Sequence, residues 1–126
     1  MLTQKNNDKI VQAVKLASGK WQSAFNCGNV AECAEQYEDN AVMNVEPFGQ
    51  YIGRDAIKAF WQKLVEDGFS NVEYLKPNIE VIDETSAVLT SAWKMNKAAG
   101  TISKELWVLR SDGTAKLKVD NFEVQA

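Results

Sequence analysis

Apolar residues recur at Ile10, Val14, Ala17, Trp21, Ala24 and Phe25, the spacing of one helix face, so a first helix is predicted over Asp8–Asn26 with Gly28 as its stop. Asn29 then stands as a side-chain cap with Glu32 three residues on, and Cys33, Ala34 and Tyr37 continue a short second helix that ends near Glu38-Asp39-Asn40. The run Ala41–Val45 reads as a short strand, Glu46-Pro47-Phe48-Gly49 as a turn, and Gln50–Ile52 as a return strand. A third helix follows from Gly53 to Gly68, with Ile57, Phe60, Trp61, Leu64 and Val65 on one face and Asp55 in its first turn, where it suits the helix dipole.

Beyond Gly68 the helical period stops. Four β runs follow, Val72–Ile82, Ser86–Asn96, Thr101–Arg110 and Ala115–Val124, separated by turn-forming residues, and Pro77 marks a bend, an edge or a bulge in the first of them. Helices first and an antiparallel meander second describe an α+β domain: three N-terminal helices packed on one face of a strongly curved, mostly antiparallel sheet. The connections are short and no linker or repeat interrupts them, so residues 1–126 are read as a single domain.

Composition narrows the functions. With 45% hydrophobic and 25% charged residues the chain is neither disordered nor provided with the roughly 18 consecutive apolar residues of a membrane span. A net charge of −3 with scattered Lys and Arg argues against a nucleic-acid partner, because phosphate binding needs clustered cations. The N-terminal stretch lacks the basic-then-apolar order of a secretory signal, and a cytoplasmic location is expected. Cys27 and Cys33 form no C-x-x-C and are read as reduced packing thiols. The chain has no histidine, which removes His-dependent nucleophiles, the common metal sites and the usual general base. No cofactor or metal is expected, and any acid-base chemistry falls to carboxylates.

The order of elements and two strings, WQSAFNCGNVAECAEQYEDNAV and EPFGQYIGRDAIKAFWQKL, resemble the nuclear-transport-factor-2-like superfamily of SnoaL-type polyketide cyclases, ketosteroid isomerase and scytalone dehydratase. That resemblance covers nearly the whole chain and implies a cone-shaped fold with an internal cavity. It also implies site residues. Glu46, before Pro-x-Gly, occupies the place of the isomerase's proton-shuttling base. Glu105, eight residues before the hairpin glycine Gly113, occupies that of its second, protonated acid. Trp21 stands where that enzyme has a tyrosine; an indole N–H donates a hydrogen bond but lacks a phenol's acidity.

Pro47 is expected to hold Glu46 extended and Phe48 to cover it from water, raising its pKa toward that of a working base. Period-two alternation puts Glu105 on one strand face with Ser103, Trp107 and Leu109, where a salt bridge to a lysine such as Lys118 is the competing role. Asp120 and Asn121 are of unresolved parity: one of them could reach the cavity mouth, and a solvated or interfacial role is the favoured reading. The tryptophans Trp21, Trp61, Trp93 and Trp107, with Phe25, Phe48 and Phe122, suit the walls of a cavity for an apolar or cyclic small molecule. Apolar residues on both faces of the Ser86–Asn96 run suggest a homodimer through the sheet. Two functions are compatible with these residues: a cofactor-independent isomerase, cyclase or dehydratase using Glu46 and Glu105, and a non-catalytic ligand-binding or assembly module. A hydrolase would need arginines in the pocket, and Arg54 and Arg110, the two in the chain, lie at a helix start and a strand end.

Overall fold

The computed structural model describes residues 4–125 as three helices and six strands: α1 (Gln4–Cys27), α2 (Val30–Glu35), β1 (Tyr37–Glu46), β2 (Gly49–Ile52), α3 (Arg54–Glu66), β3 (Glu73–Asp83), β4 (Ser86–Lys94), β5 (Ala99–Leu109) and β6 (Ala115–Gln125). One sheet with strand order β2-β1-β6-β5-β4-β3 carries all six strands, antiparallel except for the β1–β6 pair. This is the α+β arrangement that the hydrophobic pattern predicts. The helix ends follow the local chemistry: Gly28 and Gly68 take positive φ after α1 and α3, and Asn29 Oδ1 accepts from the Glu32 amide at 3.2 Å at the start of α2.

Tyr37 is a correction to the pattern reading. It opens β1 instead of continuing α2, and its ring is completely buried. Arg54, at the start of α3, donates from Nη2 to the Tyr37 carbonyl at 2.6 Å and pairs with Asp39 at 2.7 Å, which ties α3 to the first residues of β1. Of the two thiols, Cys33 is buried and Cys27 exposed, so the packing role holds for Cys33 alone. Burial, helped by the charge of Glu32, pushes the Cys33 thiol up to about 12, which leaves it protonated and inert. Pro77 lies in β3, an edge strand, beside a register shift between Leu75 and Asn78.

Two further register shifts decide which side chains face the helices. Between Ile102 and Glu105, β5 takes three steps while β4 takes two, from Ser91 to Leu89. Between Val119 and Leu117, β6 takes two steps while β5 takes one. Each extra residue is a β-bulge, and each reverses the inside-outside alternation of its strand. As a result both Ile102 and Glu105 are buried on β5, and both Leu117 and Asp120 on β6.

Gly100 fixes a third feature. It pairs with Trp93 on β4 and Val124 on β6, and a Cβ there would stand 1.8 Å from the Glu123 carbonyl oxygen and 2.8 Å from the Trp93 ring. Replacing Gly100 by Ala is expected to lower stability by about 2 kcal/mol, a drop of roughly 8 °C in thermal midpoint. Gly19→Ala, on an exposed part of α1 with nothing within 4 Å of the added Cβ, is expected to shift the midpoint slightly upward. Thermal unfolding of the two variants checks the contrast.

Candidate functional site

Aromatic rings from both layers meet beneath the sheet. Trp61 of α3 is the hub, stacked on Phe122 at 5.6 Å between centroids and edge-on to Trp21 at 4.9 Å and Phe60 at 5.0 Å. Beside this cluster lies a cavity of about 280 Å³. Trp21, Phe60, Trp61, Trp93, Ile102 and Phe122 supply much of its apolar wall, and Tyr74, Glu105 and Asp120 also line it. The exposed side chains of Phe48 and Lys97 stand at its rim.

Glu105 and Asp120 are direct cross-strand partners on β5 and β6, each only 3% exposed. The row continues with Met43 on one side and Leu89 and Ile79 on the other, so both carboxyls are flanked by apolar neighbours. Both owe their inward direction to the bulges immediately before them. Glu105 Oε2 accepts from the Tyr74 hydroxyl at 2.9 Å, and Oε1 from the Trp107 indole at 3.0 Å. Asp120 Oδ2 accepts from the Tyr37 hydroxyl at 2.7 Å, which itself accepts from Trp61 Nε1 at 3.1 Å. Asp120 Oδ1 is buried with no partner among the described residues.

Burial raises both acids. Desolvation pushes Glu105 up to about 8, with a further push from the charge of Asp120, against the lowering effect of its two donors. Desolvation pushes Asp120 up to about 7, opposed by the Tyr37 hydrogen bond. The pair therefore keeps a proton at neutral pH that solvated carboxylates would have lost. Burial and the neighbouring carboxylates hold Tyr37 and Tyr74 well above the ordinary phenol value, so both remain neutral donors.

The residues singled out from sequence divide accordingly. Glu105, Trp21, Phe48, Trp61, Trp93 and Phe122 line the cavity. Glu46 is outside it and exposed. Along β1 the buried side chains are Ala41, Met43 and Val45, and strand alternation then turns Glu46 outward; Phe48 projects to the rim and does not cover it. Phe25 packs behind the wall, stacked on Trp21 at 5.3 Å, and Trp107 lies behind Glu105 as its donor. Among the described residues no lysine pairs with Glu105; its partners there are Tyr74 and Trp107. Asp120, Tyr37 and Tyr74 complete the site although the strand pattern did not select them. Among the described residues no group of three or more Cys, Asp and Glu side chains is placed to hold a metal ion.

The raised acids predict a direction for stability against pH. Each binds its proton more tightly folded than unfolded, so their contribution is fully present below the ordinary carboxyl values of 3.8 and 4.5 and is lost as pH rises through about 7 and 8. The thermal midpoint is expected to fall between pH 5 and pH 8, by roughly 5 °C or more. Glu105→Gln is expected to flatten that slope. A midpoint that climbs over the same interval contradicts the burial of the pair.

Comparison with known proteins follows the geometry. The SnoaL-like domain profile matches residues 19–116. No curated protein sequence matches the chain. Among solved structures, a protein assigned as a scytalone dehydratase from Novosphingobium aromaticivorans superposes with a TM-score of 0.82 at 18% identity, covering 98% of this chain and 89% of that one. A ketosteroid isomerase-like protein from Erwinia carotovora atroseptica gives 0.79 at 14%, covering 95% and 98%. A protein with a cystatin-like fold from Nostoc punctiforme gives 0.76 at 10%, covering 90% of each chain. At these identities the superpositions speak for the fold, and the profile, which spans most of the chain, shows that this protein belongs to the SnoaL-like domain family.

Proposed function

We propose that the cavity binds a small apolar, cyclic, carbonyl-containing compound and that the Asp120–Glu105 pair moves a proton on it without a cofactor, as in an isomerase or lyase. The observation that carries this reading is the inventory of the four carboxyl oxygens. Three are held by O–H or N–H donors of the protein, and the fourth, Asp120 Oδ1, has no partner among the described residues. Burial leaves the pair one proton and one charge near neutral pH, and the charge on Asp120 is the form that can act as a base. Oδ1 is then the base. It takes a proton from the carbon next to the carbonyl, and the electron pair of the broken C–H bond moves to the carbonyl oxygen as an enolate. Return of that proton at another carbon gives isomerisation; departure of a leaving group one carbon further on gives elimination.

A pKa near neutrality suits this role, since a solvated carboxylate is too weak a base at pH 7. Glu46, exposed at the end of β1, takes no part in it. Proton abstraction can be read without knowing the physiological substrate: the protein is expected to accelerate exchange of deuterium from D2O into the carbon beside the carbonyl of 1-indanone, followed by NMR. Asp120→Asn is expected to slow that exchange by roughly 100-fold or more, and Glu46→Gln to leave it unchanged. Exchange no faster than in buffer, in a protein that binds the ketone, favours a non-catalytic binding module on the same cavity, and acceleration that survives Asp120→Asn rejects Asp120 as the base.

We also propose that the chain forms a homodimer through the outer face of its sheet. Val42, Val119, Leu106 and Val88 are register partners on four successive strands, a straight aliphatic row on the face opposite the helices. A two-fold pairing would bury the same row from both copies. Light scattering is expected to give twice the 14.1 kDa chain mass, and Leu106→Arg to return it to the monomer value; a monomer mass for the unmodified protein rejects the pairing.

A further inference from the structure

The charge that the acid pair carries near neutral pH has no counterion among the described residues. Glu105 and Asp120 are each 3% exposed, and neither pairs with a lysine or arginine there; Arg54, Lys94 and Arg110 are engaged with Asp39, Glu73 and Glu38. The two carboxyls receive neutral donors instead, the hydroxyls of Tyr37 and Tyr74 and the indole of Trp107. A buried charge is ordinarily matched by an opposite one. Here a positive charge can approach through the cavity that both acids line.

The wall suits a particular kind of cation. Eight aromatic side chains line the cavity, and a cation over the face of an aromatic ring is attracted by its quadrupole, more strongly once water is removed. One cation is already held at the rim in this way: Lys97 Nζ stands 5.6 Å from the centre of the Phe69 ring and donates to the Asp67 carbonyl at 2.7 Å. Free acceptor atoms, by contrast, are scarce among the acids. Three carboxyl oxygens are hydrogen-bonded to the protein, and the fourth, Asp120 Oδ1, is buried beneath the surface of the wall. A primary ammonium would therefore lose the water on its N–H groups without replacement. A quaternary ammonium has no N–H to satisfy, and the buried charge attracts it across the wall without contact. The cavity of about 280 Å³ is nearly twice the ~150 Å³ void that accommodates benzene, room for one ring and a trimethylammonium head.

Going beyond the carbonyl reading and independently of it, we infer that the cavity binds quaternary ammonium ions carrying an apolar ring or short chain, attracted by the charge of the Glu105–Asp120 pair and held against the aromatic wall.

Binding of such an ion is coupled to protons. A nearby positive charge favours the ionised form of both acids, so the ligand expels the proton that burial leaves on them. The titratable groups that face the pair are Tyr37 from β1 and Tyr74 from β3, both of which stay neutral. From α1, α3 and β4 the cavity receives Trp21, Trp61 and Trp93, and the charged Lys97 is at its rim. Affinity for the cation therefore increases as pH rises through about 7 and 8.

Phenyltrimethylammonium and tert-butylbenzene have the same shape and differ in charge, and calorimetric titration with the two tests the inference. At pH 8 the cation is expected to bind roughly 10-fold more tightly than the hydrocarbon. Its affinity is expected to drop by roughly 10-fold at pH 5, while that of tert-butylbenzene changes little. Glu105→Gln is expected to shrink both the preference for the cation and its pH dependence, with tert-butylbenzene still bound as by the unmodified protein, which shows that the cavity is intact. The pH series uses the unmodified protein alone and decides the matter where the variant does not fold. Absence of cation binding, equal affinity for the two compounds at pH 8, a cation affinity that does not rise with pH, or a cation preference untouched by Glu105→Gln overturns the inference. Cation preference without deuterium exchange into 1-indanone leaves the inference standing and rejects the proton chemistry; exchange without cation preference does the reverse.

Discussion

Two carboxyl groups held side by side in a row of apolar side chains cannot both be charged at modest free-energy cost, and much of the interior of this protein is arranged around that constraint. Glu105 and Asp120 face each other across β5 and β6 with Met43 and Leu89 as their flanking neighbours. Four side chains from β1, α3, β3 and β5 respond to them: Tyr37, Trp61, Tyr74 and Trp107 form the donor network, two in direct contact with Glu105, one with Asp120 and one a step behind. The helical layer and the sheet are therefore joined by a polar network as well as by ring packing. Arg54 supports it from outside by fixing the backbone of Tyr37.

This network explains why the aromatic residues are not interchangeable. Trp61 packs against Phe122, Phe60 and Trp21 and also orients the Tyr37 hydroxyl. Phe in its place would preserve packing and leave that hydroxyl without its donor. Trp21 and Trp93 have the packing role, and their nitrogens have no partner among the described residues, so the same residue type joins the polar network in one pair and not in the other.

Much of the architecture was legible in the sequence because hydrophobic period, capping residues and glycine stops reinforce one another over long segments. Helices α1 and α3, four C-terminal strands and the shift from helix to sheet after Gly68 follow from those signals. Legibility declined where alternation breaks. Glu105 was placed on its face with Trp107 correctly, yet Ser103, assigned to the same face, is exposed because the bulge intervenes. The parity of Asp120 stayed unresolved from KLKVDNF, because regular alternation puts it with the lysines whereas the extra residue beside Lys118 returns it to the interior with Leu117. Glu46 lies outside the cavity for the opposite reason: β1 keeps strict alternation from Ala41 to Val45, so a glutamate one step further points away from it. A bulge is set by pairing with the next strand, and a single chain's pattern of polar and apolar residues does not record it.

The bulges have a consequence for how such a site can arise and disappear. Each consists of one supernumerary residue, and each lies in a strand whose remaining positions are satisfied by an ordinary alternating pattern. Loss of a single codon near Ser103 or Lys118 would restore regular pairing and exchange the inner and outer faces of one strand segment, turning an acid of the pair toward solvent. Divergence within this family can therefore pass through insertions and deletions in the middle of strands, where alignments expect them least, and a relative with every site residue present in its sequence can lack the site in space.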